Sequence, residues 1–252
     1  MGLEIKLAPD ILFYLGGFPV TNTFFWSLVL SLFLIGLTFF IRKNLKLVPG
    51  RLQNIAELLL ESGYSFVKSI AGTEKKTRRI FPLVFTMFLF ILVANLATYI
   101  PGQSAITLAR QEGPVSVFRA VMSDYSMVFV MTVITFLITQ IVAIMVHGPF
   151  GYLGKFINFK NPLQFFLGLM DLIGELAKVI SLSFRLFGNI FAGEVLGAVM
   201  LFLAPFFIPL PFMFLGLLTA VVQAFVFAVL TLVFITMASE IEENEITESA
   251  SI

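Results

Sequence analysis

The sequence predicts an all-α membrane protein: about five transmembrane helices, including a long tilted C-terminal helical hairpin, plus one amphipathic interfacial helix. Composition is the first reason. Hydrophobic residues make up 59% of the 252-residue chain and charged residues 12%, with a mean hydropathy of +1.01. An ordinary globular domain is about half apolar and a quarter charged. The second reason is that the apolar residues fall into runs matching the roughly 20 helical residues needed to cross about 30 Å of hydrocarbon. The third is a single stretch, near the end of the first run, whose apolar residues recur at helical spacing among charged ones.

Taken in order, residues 23–41 carry no charge and end at Arg42-Lys43, residues 80–100 follow Arg78-Arg79 and end at Pro101-Gly102, and residues 125–146 run from Asp124 to His147. Each is bounded as a spanning helix should be, by charge, proline or glycine. His147 marks an interface. Residues 162–204 hold no proline after Pro162. Those 43 residues allow a helix of about 64 Å, twice the membrane thickness. Nothing inside this run resembles a turn, so one tilted helix is expected rather than two ordinary spans. Pro205, Pro209 and Pro211 break it, and residues 212–239 return. Between the first two spans, residues 51–72 place Leu52, Ile55, Leu59, Phe66 and Ile70 on one face and Glu57, Glu61, Ser62 and Lys68 elsewhere. This describes a helix lying along the bilayer surface. Residues 1–252 therefore read as a single integral membrane domain, without internal repeat or soluble module.

Positive charge sets the orientation. Nine Lys and Arg fall between Arg42 and Arg79 and two more, Lys155 and Lys160, precede the long helix, against Lys6, Arg110 and Arg119 on the opposite side. The excess marks the cytoplasmic side, so the N-terminus is expected outside and the C-terminus, with its Glu240, Glu242, Glu243, Glu245 and Glu248, inside. A net charge of +1 argues against nucleic acid as a partner. Zero cysteines exclude a disulfide framework, and with one histidine they argue against a zinc or haem site, so no metal or cofactor is expected. The first ten residues mix Glu4, Lys6 and Asp10 without the pattern of a signal or transit peptide, so the chain is read as complete. A bacterial plasma (inner) membrane is the expected location.

A charged side chain at mid-bilayer costs at least about 2.5 to 3.5 kcal/mol and is a functional hypothesis by default. The long helix carries five, Asp171, Glu175, Lys178, Arg185 and Glu194, with Asn189 beside them. At 100° per residue, Asp171, Glu175, Lys178, Arg185 and Asn189 share roughly 80° of arc. Glu194 lies about 13 Å beyond Arg185 and roughly 180° around the axis. The pattern describes two polar places displaced in depth and direction, with an arginine near their boundary. One alternative is that Lys178 and Arg185 neutralise Asp171 and Glu175 within a bundle, or snorkel. It explains Arg185 poorly, because Ser181, Leu182, Gly188 and Asn189 occupy the positions one turn away. A guanidinium stays charged, so its counter-ion is expected from another helix or another chain. Gln223 and Asn95 read, on spacing alone, as interhelical glue, and Asp124 as a cap for the third span.

The run S-L-S-F-R-L-F-G-N-I-F-A-G-E at residues 181–194 resembles the signature of the F-type ATP synthase subunit a family, whose core is R-L-x-x-N with G-E shortly after. Residues 81–86, Asn95 and Ile100-Pro101-Gly102 resemble that family's second span, and residues 223–240 its last. The likeness covers residues 18–240, excepting the loop 103–123. It implies a proton-translocating stator subunit, itself without catalytic activity, in a rotary motor for ATP synthesis. Arg185 would face a carboxylate of the c-subunit ring, with Gln223 beside it from the neighbouring long helix, and Gln223 and Asn189 would count among the residues of the proton half-channels. Glu194 and Asp124 would belong to the outer half-channel, Asp171 and Ser181 to the cytoplasmic one. Partners implied are the c-ring, the subunit b peripheral stalk, the rest of the ATP synthase and the lipid bilayer. In one respect the sequence departs from the family. Many relatives carry an ionisable residue, often His, seven positions before the glutamine, where this chain has Gly216. A self-contained transporter would need a partner for Arg185 within the chain and broken helices. An intramembrane enzyme would need a nucleophile pair or metal-ligand spacing.

Overall fold

The computed structural model describes residues 8–100, 106–108, 115–156, 162–204 and 207–249. Lys6, Arg110 and Lys160, three of the charges used for orientation, lie outside them. The chain opens with a feature the hydropathy reading did not anticipate. Strand β1 (Ile11–Leu15) pairs antiparallel with β2 (Phe18–Thr21). The turn is Gly16-Gly17, both at positive φ (58° and 92°), which glycine adopts without steric cost and which suits a two-residue hairpin. Thr21 then caps helix α1 (Asn22–Lys43), its hydroxyl accepting from the Phe24 N–H at 3.3 Å. Arg42 and Lys43 close that helix where cations favour the macrodipole.

Helix α2 (Arg51–Ala71) is the amphipathic segment, stopped by Gly72 at φ 75°. Its C-terminal half packs against the bundle, with Val67 and Ala71 buried, while Leu52, Ile55 and Leu58 stay exposed. Helix α3 (Glu74–Ala97) starts before the apolar run at Ile80, because Glu74 is held by Lys68 and Arg78, each at 3.3 Å. Strands β3 (Thr107–Leu108) and β4 (Val115–Ser116) form a short ribbon, and a 3-10 turn (Val121–Ser123) leads into α4 (Tyr125–Phe156). Helix α4 is broken at Gly148, whose φ of 71° and ψ of 158° are not helical, so its spanning part ends at Val146. Helix α5 (Pro162–Leu203) is continuous over 42 residues, and α6 (Pro209–Ser249) runs back along it. Pro209 and Pro211, read from sequence as part of the break, lie instead in the first turn of α6. A missing N–H costs nothing there, because that donor has no intrahelical acceptor.

Among the described residues five helices, α1, α3, α4, α5 and α6, are long and apolar enough to cross a membrane. Their core is built where α3, α5 and α6 meet: Ile91, Ala94, Leu186, Ile190, Ala220, Ala224 and Phe227 are essentially inaccessible. Alanines on α3 and α6 let the backbones approach closely, as membrane helices require in the absence of a hydrophobic force between them. Asn95 acts there as the glue expected, its Nδ2 donating to the Ala220 carbonyl at 3.0 Å. The 3-10 turn belongs to the same core, with Val121 and Met122 fully buried. The α5 span is poorly covered: 11% of its most apolar stretch is buried against 44% for α6. One side of α5 is therefore available to lipid or to another protein.

Candidate functional site

The middle of α5 carries the arginine. Leu182, Leu186 and Ile190 are buried against the bundle and thus point Arg185 outward, where it is exposed beside Phe184 (57% accessible). Among the described residues its guanidinium has no ion pair and no hydrogen bond. Asn189, one turn on, reaches across to α6, and its Nδ2 donates to Gln223 Oε1 at 2.6 Å. Gln223 is buried, and its Nε2 has no hydrogen-bond partner among the described residues. Two residues of the sequence motif and the glutamine of the last helix are thus brought to one level. The interhelical bond expected of Gln223 is made to Asn189, four residues on from Arg185.

Toward one end of the bundle lies the first polar place. Lys178 Nζ meets Glu175 Oε1 at 2.7 Å on the same helix and rests 5.2 Å from the centre of the Phe234 ring of α6. Gln140 of α4 donates to the other Glu175 oxygen at 3.1 Å. Glu175 and Lys178 border a narrow cleft of about 20 Å³ between α4, α5 and α6, lined also by Thr132, Thr135 and Thr139. Lys178 is therefore neutralised within the chain, as the bundle alternative held, whereas Arg185 has no such partner among the described residues. Asp171 and Ser181 are exposed on the same helix. Gln140 and the threonines were missed in the sequence. The 132, 135, 139 spacing marks one face of α4, but the Gln140 contact spans 35 residues and leaves no local trace.

Toward the other end lies the second place. Glu194 is half-buried, with the Ser123 hydroxyl and the Arg119 guanidinium as its polar neighbours. Both come from the connection between α3 and α4, where the sequence carries little of the family likeness. Asp124 lies in the same connection but is tied into the framework. Its Oδ1 accepts the Ser126 N–H at 2.9 Å, capping α4 as expected, and its Oδ2 accepts the Thr23 hydroxyl of α1 at 2.6 Å. Asp124 is 3% accessible, so both oxygens are satisfied away from water. Along α5, Lys178, Arg185 and Glu194 are spaced by about 10 and 13 Å at 1.5 Å per residue. Two polar places thus lie along α5 on either side of the arginine, with core residues Leu182, Leu186 and Ile190 between them. Among the described residues no group of three or more His, Cys, Asp or Glu is placed to hold a metal ion.

Comparison with known proteins matches residues 24–236 to the model of a family described as the ATP synthase A chain. The chain is 34% identical over 229 residues to ATP synthase subunit a of Moorella thermoacetica, covering 91% of this chain and 95% of that protein. It is 35% identical to ATP synthase subunit a of Campylobacter concisus, over 86% and 89% of the two chains. Against ATP synthase subunit a 2 of a Picosynechococcus species the identity is 33%, over 96% of each.

Proposed function

Because this chain belongs to the ATP synthase A chain family, as a proton-translocating, multi-pass subunit of the membrane sector, we propose that it is the stator that faces a ring of c subunits and offers protons two offset half-channels. The observation that carries this reading is Arg185: exposed, unpaired among the described residues, and set in the apolar, uncovered side of α5. An isolated guanidinium in hydrocarbon is costly, so its surroundings must supply an anion. A carboxylate on a moving ring is an anion that can leave and be replaced.

A proton enters from outside by way of Glu194, with Asp124 fixing the wall of that half-channel, and protonates a ring carboxylate that has left Arg185. The neutral acid can then turn into lipid, where its ionised form would be expelled. Nearly a full rotation later it reaches the cytoplasmic half-channel beside Asp171, Ser181 and the Glu175 cleft. The positive charge of Arg185 there favours loss of the proton. At ~4 Å and an effective dielectric of 20, the pair is worth about 4 kcal/mol, comparable to the roughly 2.3 kcal/mol per charge that 100 mV supplies. The contact can therefore form and break at each step. Asn189 and Gln223, bonded to each other at 2.6 Å, brace α5 against α6 beside the arginine. The chain makes and breaks no covalent bond of ATP, and that chemistry belongs to other subunits. Subunit b and the peripheral stalk hold it against the torque. The bacterial plasma membrane, with the N-terminus outside and the C-terminus cytoplasmic, completes the reading.

The test is ATP-driven acidification of vesicles carrying the assembled complex. Arg185→Ala should abolish it while the c-ring still co-purifies, and normal pumping would refute the role.

A further inference from the structure

Between α5 and α6, at the level of Glu194, the two helices confront each other with a glycine apiece, Gly193 and Gly216. The side chain of Tyr99, just past the end of α3, is lodged between them. A Cβ added at Gly216 would collide with the Tyr99 hydroxyl and lie 3.2 Å from Cζ and 3.3 Å from Cε1, and one added at Gly193 would stand 3.4 Å from the same hydroxyl. The slot is specific to this pair, for Gly174, Gly188 and Gly197 of α5 have open space where a Cβ would stand. The ring packs against the central core and is half-buried, so it is held in place. Its hydroxyl has no hydrogen-bond partner among the described residues and lies within electrostatic reach of the Glu194 carboxylate.

We propose that the Tyr99 hydroxyl is a proton-relay group for Glu194, reaching from α3 into the space left by the absent side chain at Gly216. The inference rests on the half-channel reading above. A phenol both donates and accepts a hydrogen bond, so it passes a proton without holding a charge. As a proton from the outer side forms a new O–H bond on the phenol oxygen, the original O–H bond breaks toward the Glu194 carboxylate. The phenol ends neutral, and turning of the hydroxyl resets it. The ionisable groups around the relay are Glu194 on α5 and, beyond it, Arg119 and Asp124 on the connection before α4. Helix α6 contributes none over residues 209–239. A merely structural Tyr99 would act through its ring, which fills the slot with or without oxygen.

The experiment is ATP synthesis by the assembled complex in vesicles under an imposed potential, followed against the pH of the compartment that supplies protons. Tyr99→Phe keeps the ring and removes the relay. The rate should fall on the order of tenfold, the loss expected for one hydrogen bond to a charged group, with the half-maximal pH moved downward. Rate and pH profile equal to the parent would overturn the proposal. Gly216→Ala should displace the hydroxyl and cost a similar factor alone, and clearly less in the Tyr99→Phe background, where only the ring contacts at 3.2 and 3.3 Å remain. An equal cost in both backgrounds would make the slot structural and overturn the relay. Arg185→Ala in the same vesicles separates the two readings: normal synthesis there sinks the half-channels themselves, whereas its loss beside an unaffected Tyr99→Phe sinks the relay alone.

Discussion

Asp124 shows how one side chain can be legible in part. Its place before the third apolar run marks it as a cap, and the Ser126 N–H bond at 2.9 Å is that cap. The Thr23 bond at 2.6 Å joins residues 101 apart, which no local pattern announces. Losing the cap costs about 1 kcal/mol, and losing a hydrogen bond to a charged group about 1.5 to 3. Asp124→Ala is therefore expected to lower the thermal midpoint of the detergent-solubilised protein by the equivalent of roughly 2 to 4 kcal/mol. Asp124→Asn can still accept from Ser126 and donate to Thr23, so its midpoint and its proton flux should stay near the parent. A well-assembled Asn variant with strongly reduced flux would mean that the carboxylate itself exchanges protons. At Lys178 the pair with Glu175 lies three residues away and is readable from spacing. At Arg185 the absence of any such neighbour was the readable fact.

Among elements, the long α5 and the surface helix α2 were apparent because each rests on local causes, proline-free apolar length in one and amphipathic period in the other. The hairpin β1–β2 was not anticipated, although Gly16-Gly17 between Ile11–Leu15 and Phe18–Thr21 is a turn signal. Hydropathy masked it, since an apolar strand and the start of an apolar span look alike in a composition window. Helix α2 docks where Gly63 leaves room for the Phe85 ring, with a Cβ there only 3.0 Å from Cδ2 and Cε2. Neighbouring Phe81 and Phe85 are stacked with centroids 5.0 Å apart, so the rings have little freedom to withdraw. Gly63→Val is expected to destabilise the α2–α3 contact by about 1 to 3 kcal/mol through overpacking. Thermal unfolding of the solubilised protein checks this, and an unchanged midpoint would show that α2 is not seated as described.

Across the whole molecule, the arrangement of charges predicts sidedness. The chain has no cysteine, so a single introduced thiol reports on one place alone. Lys46→Cys, in the exposed turn between α1 and α2, should react with a membrane-impermeant maleimide only from the cytoplasmic side. Thr107→Cys, on the exposed ribbon between α3 and α4, should react only from outside. The reverse pattern, Lys46→Cys from outside and Thr107→Cys from the cytoplasm, would overturn the orientation, and labelling of both from one side would mean that α3 does not cross. The two polar places sit at opposite ends of the bundle because α5 is long enough, at about 63 Å, to pass both. Poor burial of that helix leaves room for a partner: among the described residues nothing covers the side that bears Arg185.

By itself the sequence determined the apolar spans, the surface helix and the stripe of charges on α5. These follow from length, period and composition, which act between residues close in the chain. Tertiary structure alone decided which polar groups meet: Asn189 with Gln223, Gln140 with Glu175, Thr23 with Asp124, and Tyr99 with the slot at Gly193 and Gly216. Each such contact depends on the rotation and depth of one helix against another. Many weak packing contacts set those two quantities, and no local spacing records them.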